Sequence, residues 1–205
     1  KYFHFIKKAQ GRHGIHSPFV YNLIENVILP SKRTGDVKIE RLRNNLKKNF
    51  NQVELIDQKK NKTVRRTISS IVRTSSSNRR FSSFLQLLGN EVNAEKILET
   101  GTSFGLNTLY LAKSNAREIH TIEGNPGISE IAQKNFESLN DTKISLHAGQ
   151  LQDILKSVIR DNPPDMVFLD ADHRSEALFL CLDMLAPYLK KIKVIVIHDI
   201  YWSRD

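Results

Sequence analysis

Lys96 to Ala112 reads KILETGTSFGLNTLYLA: a short apolar run, a glycine turn and the opening of a helix. Ile97 and Leu98 have the character of a buried strand, Glu99 stands at its end, and Gly101 and Gly105 bracket a turn whose backbone can approach a ligand closely. Leu106, Leu109, Tyr110 and Ala112 then recur at helical spacing. A strand that passes through glycines into a helix aims free backbone amides at whatever binds there.

Outward from this unit the pattern repeats. Strand-like segments fall at 96–100, 118–122, 143–147, 165–170 and 193–198, and helical segments fall between them at 105–114, 126–139, 151–160 and 174–189. This alternation predicts an α/β fold with a mostly parallel sheet and helices on both faces. Right-handed crossovers make it doubly wound, with the ligand beyond the carboxyl ends of the strands. Glu99, Glu123, Asp170 and Asp199 all stand at such ends.

The charge divides the chain. Residues 1–90 hold 19 Lys/Arg against 5 Asp/Glu, whereas residues 91–205 hold 12 against 17. Two parts follow: a basic helical N-terminal extension over 1–90 and an acidic α/β part over 91–205. In the front part, Ser17-Pro18 reads as a helix start, and the stripe Phe19, Val20, Leu23, Ile24, Val27, Ile28 predicts a helix that stops before Pro30. A charged helix is expected over Lys38–Lys48. Residues 57–80, rich in Ser, Arg and Lys, read as a linker with a short helix near Val64–Val72, and Asn78 caps a further helix closed by Gly89.

The chain has 205 residues, 40% of them hydrophobic, enough for a sizeable core. No run approaches the roughly 18 apolar residues of a membrane span, and a membrane partner is not expected. KYFHFIKKAQ lacks the features of a signal peptide, and the single Cys181 permits no internal disulfide, so a cytoplasmic location is expected.

The successive segments ETGTSFGLNTLYLA, TIEGNP with AQKNF behind it, GQLQDIL and PDMVFLDADHR resemble, in order and spacing, the motifs of class I S-adenosylmethionine-dependent methyltransferases. The catechol O-methyltransferase-like, small-molecule group is the most similar. The resemblance covers residues 94–205 and implies a Rossmann-like sheet of order 3-2-1-4-5. It also implies S-adenosyl-L-methionine as cofactor. By position, it puts Glu99, Gly101, Thr102, Ser103, Gly105 and Asn107 around the methionine end, and Glu123 with Gly124 at the ribose. Leu151 and Gln152, with Asp153 alongside, fall at the adenine, and Asp170 beneath the reactive methyl group.

Asp170 and His173 are the catalytic candidates, His173 standing where metal-dependent relatives carry a lysine; its ordinary pKa near 6.5 suits a general base. A His that merely caps the next helix and bonds Asp172 is the competing reading. His198, in IVIHD, reads as the end of a buried strand. Metal-dependent relatives hold their ion with carboxylates matching Asp170 and Asp199, but Ile200 replaces the Asn that completes the set, and no metal is expected. Asn162-Pro163-Pro164-Asp165 reads as a turn, Cys181 as a core residue, and Gly11-Arg12-His13-Gly14-Ile15-His16 as a loop or a lid.

Class I methyltransferases continue past the position of Trp202 into an antiparallel hairpin, which is not in this sequence. The segment at 193–198 is then an edge able to pair with another chain, and a homodimer enters the reading. The expected activity is methylation of a small-molecule acceptor, at oxygen by resemblance. Two other readings stay open: methylation of nucleic acid, argued by the basic front part, and a cofactor fold that serves only as an interaction module.

Overall fold

The periodic segments become regular elements in the computed structural model, which describes residues 16–57, 62–171 and 174–199. Helix α1 (Pro18–Asn22) opens on the Ser17 hydroxyl, which accepts from the Val20 amide. It continues through a π-helical turn at Leu23–Ile28 into α2 (Leu29–Ser31), so the helix does not stop before Pro30. The wide turn shifts the hydrogen-bond register and leaves Pro30 in the first turn of α2, where a missing N–H is tolerated. Asp36 caps α3 (Val37–Leu46), accepting from the amides of Lys38 and Ile39.

The front part then departs from expectation. Strands β1 (Gln52–Asp57) and β2 (Lys62–Thr67) pair antiparallel, with Glu54 opposite Arg65 and Val53 opposite Arg66, and β2 occupies the expected linker 57–80, so that the short helix there begins only at Ile68. Val53 is buried, and the Asn125 side chain donates to the Glu54 carbonyl at 3.1 Å, so tertiary contacts hold a hairpin that its polar composition conceals. Thr67 caps α4 (Ile68–Ser75), and Asn78 caps α5 (Arg79–Glu91). Gly89 does not close α5. It lies inside the helix, where an added Cβ would come 3.3 Å from Ser114 Cβ, and the chain turns instead at Asn93, φ 50°.

The α/β part follows as β3 (Lys96–Thr100), α6 (Leu106–Ala112), β4 (Glu118–Glu123), α7 (Pro126–Ser138), β5 (Ile144–Ala148), α8 (Leu151–Asp161), β6 (Met166–Leu169), α9 (Ser175–Leu185) and β7 (Val194–Ile197). The five strands are all parallel in the order β5-β4-β3-β6-β7, which is 3-2-1-4-5 counted within the sheet. The order reverses between β3 and β6, and the crevice at their carboxyl ends is the binding place that topology provides.

Alternation along the strands sorts the core. Leu98, Ile122, Val167 and Leu169 face α8 and α9, meeting Leu155, Val158, Ile159, Cys181 and Leu185. Ile97, Ile119, Met166 and Phe168 face the other way, onto Leu85, Leu88, Leu111 and Val27. A third cluster joins the front part to the sheet: Ile39, Leu46, Val53, Ile68, Ile71 and Val72 pack with Leu109, Tyr110 and Phe136. Polar ties support it. The fully buried Tyr110 hydroxyl accepts from the Asp36 amide at 3.1 Å and donates to Glu40 at 2.9 Å. Among the described residues, no helix is long and apolar enough to cross a membrane.

Candidate functional site

The carboxyl end of β3 begins the site. Glu99 is 0% exposed, and its Oε2 accepts from Thr108 Oγ1 on α6 at 2.5 Å and from Thr121 Oγ1 on β4 at 2.7 Å. Its Oε1 is buried and has no hydrogen-bond partner among the described residues. Burial is the main reason that this carboxyl is pushed up from 4.5 to about 8; the two threonine hydroxyls pull it back, and the charges of Asp170 and Glu123 raise it further. Thr102 reaches the same network through a 2.6 Å contact between its hydroxyl and that of Thr121.

The turn that follows is shaped by two positive φ glycines. Gly101 has φ 87°, and a Cβ there would stand 2.5 Å from the Asp170 carbonyl oxygen, so the β3 and β6 ends come together only because the side chain is missing. Gly105, φ 79°, opens α6 and faces the Phe136 ring. Ser103, between them, is left-handed without being glycine, φ 51°.

Ser103 also ties this turn to β4. Its amide donates to Glu123 Oε2 at 2.8 Å, while Oε1 accepts from the Asn125 amide at 2.9 Å. Burial raises the Glu123 carboxyl above the usual range and the backbone amides of Asn125, Ser103 and Gly124 counter it. Beside Glu123, the Gln150 side chain lies over Gly124 and donates to its carbonyl at 3.0 Å. Leu151 and Gln152 follow at the start of α8, Leu151 half-buried, Gln152 and Asp153 exposed.

On the other side of the switch point, the Asp170 amide donates to the Thr100 carbonyl at 3.0 Å, which seats Asp170 directly after β6. Its Oδ1 lies 2.9 Å from Nδ1 of His198, the residue after β7; the same nitrogen is 3.4 Å from Asp199 Oδ1. The imidazole rests against Phe81, ring centroids 5.0 Å apart, and edge-on to Phe168 at 6.3 Å. Asp199 takes φ 55°.

The structure thus brings together Glu99, Gly101, Thr102, Ser103, Gly105, Glu123, Gly124 and Asp170. Asn107 is turned elsewhere: its Oδ1 accepts from Ser82 and its Nδ2 donates to Ser77, in a network that includes the buried Arg43. His198 was set aside as a strand end, yet it contacts Asp170; its place at the carboxyl end of a parallel strand was the signal. Asp172, His173, Ile200, Trp202 and the loop at 11–15 lie outside the described residues.

Asp170 and Asp199 supply two carboxylates, but an imidazole stands between them, and among the described residues no group of three or more His, Cys, Asp or Glu is placed to hold a metal ion. With Ile200 in place of the Asn, a hard divalent cation here would have to complete its oxygen shell with water, which weakens the site. For a sulfonium amino-acid nucleoside the fit is better: the turn offers amides, Glu99 offers an unpartnered carboxyl oxygen, and three carboxyls surround the crevice.

Residues 98–200 match a family described as a methyltransferase domain. A catechol O-methyltransferase from Niastella koreensis is 38% identical over 95 residues, 43% of this chain and 42% of that protein. Another from Mycobacterium tuberculosis is 29% identical over 100 residues, 47% and 45%. The chain therefore spans less than half the length of these curated relatives. Among solved structures, an SAH-bound methyltransferase from Podospora anserina superposes with TM-score 0.65 at 15% identity, covering 92% of this chain and 74% of that one. An O-methyltransferase from Bacillus cereus in complex with SAH gives 0.55 at 21%, covering 79% and 70%. These likenesses bear on the fold, and they agree with the strand order found here.

Proposed function

Because this chain belongs to the methyltransferase domain family, we propose that it transfers a methyl group from S-adenosylmethionine to an oxygen of a small-molecule acceptor. The observation that carries the reading is the meeting of Glu99, the Gly101 turn, Glu123 and Asp170 at one topological switch point, with a buried carboxyl oxygen left unpartnered. The catechol O-methyltransferase relatives support oxygen as the accepting atom and a small planar diol as the acceptor to try first.

The cofactor supplies a methyl group on a cationic sulfur, which an oxygen nucleophile displaces in line. The chain's own residues supply position, charge and a route for the proton. Amides of the 101–105 turn suit the cofactor's carboxylate, Glu99 suits its ammonium group, and Glu123 suits the ribose hydroxyls. Gly124 stands beside Glu123 at the ribose, and Leu151 and Gln152 complete the adenine side. Asp170 orients the acceptor oxygen, held on its far side by His198, and His173, three residues on, remains the candidate that takes the proton.

The basic residues 1–90 form, in this reading, an extension that closes the acceptor side of residues 91–205, which supports a small acceptor more than nucleic acid. The reducing environment suited to Cys181 supports a cytoplasmic setting. Titration calorimetry with S-adenosylmethionine, followed by incubation with labelled cofactor and a catechol, tests the proposal. Saturable binding and label in an O-methyl product are expected. Label in tRNA or rRNA but not in the catechol would replace the acceptor, and no binding would remove the enzymatic reading.

A further inference from the structure

Glu99 differs from the other carboxyl groups of the crevice in being fully buried. Both of its hydroxyl donors converge on Oε2, and Oε1 is left with no hydrogen-bond partner among the described residues. The charged groups nearest to it from the packed elements are Glu123 at the end of β4 and Asp170 after β6, both acidic; α6 contributes only the Thr108 hydroxyl. An anion in that setting has lost its hydration and meets two like charges, so the neutral acid is the stable form of the empty protein.

Resting on the cofactor reading above, we propose that Glu99 is a proton-exchange residue for an incoming primary ammonium group: it holds a proton in the empty protein and gives it up when the cofactor's ammonium docks on Oε1. In the exchange, the Oε1–H bond breaks, the proton leaves to solvent, and the carboxylate formed accepts from the ammonium, so the new anion offsets the cation it meets and the complex carries one positive charge less than protein and ligand did apart. Specificity follows. A ligand that fills the same space without an ammonium cannot drive the exchange, and it leaves a buried oxygen unbonded. Carboxyls raised by burial and neighbouring acids behave in this way wherever an opposite charge arrives. The elevated position of this group, about 8, places the exchange in the neutral range.

Calorimetric titration of the protein with S-adenosylmethionine in buffers of different ionisation enthalpy at pH 7 reads the proton directly. Release of more than half a proton per molecule bound is expected in the native protein. In Glu99→Gln the release is expected to vanish while binding persists at reduced affinity, and adenosine, which lacks the ammonium, is expected to release none from either. Infrared difference spectra give a second reading that does not depend on the variant: a protonated-carboxyl band present in the free protein and lost on binding. Binding heat that is the same in every buffer, or a carboxyl band unchanged by the cofactor, would overturn the proposal and leave the cofactor reading standing. Absence of any binding by the native protein would remove both.

Discussion

Nδ1 of His198 lies 2.9 Å from Oδ1 of Asp170, joining the carboxyl ends of the neighbouring strands β7 and β6 beside the crevice. The imidazole is fixed by Phe81 and Phe168, so the contact holds the Asp170 carboxylate in one direction. Replacing His198 by Asn shortens the side chain and removes that contact. We expect kcat to fall by about 10- to 100-fold, the range for losing a positioning contact, with cofactor affinity within about threefold. Steady-state kinetics together with calorimetry checks the split, and an equal fall in affinity would make His198 part of the cofactor pocket instead. His173→Ala is expected to abolish turnover while leaving cofactor affinity within about threefold, and unchanged turnover would remove His173 from the mechanism.

Gly101 tests the turn. Its φ of 87° and the 2.5 Å that would separate an added Cβ from the Asp170 carbonyl oxygen mean that any side chain pushes β3 and β6 apart where their ends meet. Backbone cannot yield as a flexible side chain does, so Gly101→Ala should cost about 2–3 kcal/mol. A Tm lower by about 4–8 °C and loss of cofactor binding are expected, read by differential scanning fluorimetry and calorimetry. A variant as stable as the parent would mean that the turn relaxes.

Tyr110 tests the joint between the front part and the sheet. Its ring is fully buried, and its hydroxyl both accepts from the Asp36 amide and donates to Glu40. Tyr110→Phe keeps the packing and leaves the Asp36 amide without its acceptor, while Glu40 Oε1 still accepts from Arg43 Nε at 3.1 Å, an expected loss of about 1–2 kcal/mol. Limited proteolysis should then cut between residues 32 and 50 first, because Asp36 and Glu40 sit on that segment; cutting first in α8 or α9 would place the weak point elsewhere.

The sequence was legible where burial is decided locally. The central strands β3, β4 and β6 are buried almost throughout, β6 as a continuous apolar run, and the segments at 96–100, 118–122, 143–147, 165–170 and 193–198 coincide with β3 to β7 to within a residue or two at each end. The hairpin was not legible, because the apolar alternation of its first strand amounts, among the described side chains, to the buried Val53 and the partly buried Leu55, and the Arg65 that pairs with Glu54 reads as a linker charge. Gly89 and Pro30 misled for a shared reason: both usually end helices, but here a tight approach to Ser114 and a π turn give them interior places. In the site, the glycines and carboxyls at strand ends were readable from spacing. Asn107 was turned away by Ser77 and Ser82, partners far off in sequence, and His198 was hidden because its partner, Asp170, belongs to a neighbouring strand.

The buried Glu99 and the half-buried His147 should give stability opposite slopes with pH. Glu99 is raised in the folded protein to about 8 from 4.5, mainly by burial, so below pH 4.5 both folded and unfolded chains carry its proton. From there up to about pH 8 the unfolded chain ionises while the folded one does not, and stability contributed by Glu99 is lost as pH rises. His147 runs the other way. Burial, and then the neighbouring His120 at 3.1 Å between ring nitrogens, lowers it from 6.5, so as pH falls below 6.5 the unfolded chain takes up a proton first and stability drops. Urea unfolding of the cofactor-free protein should therefore show a declining limb from pH 7 to 8 that Glu99→Gln flattens. Below pH 6.5 a second decline, removed by His147→Gln, should appear against the Glu99 trend. If Glu99→Gln leaves the alkaline limb as steep as before, its carboxyl is ionised in the folded protein, and burial has been offset by a donor to Oε1 that the free protein would have to supply.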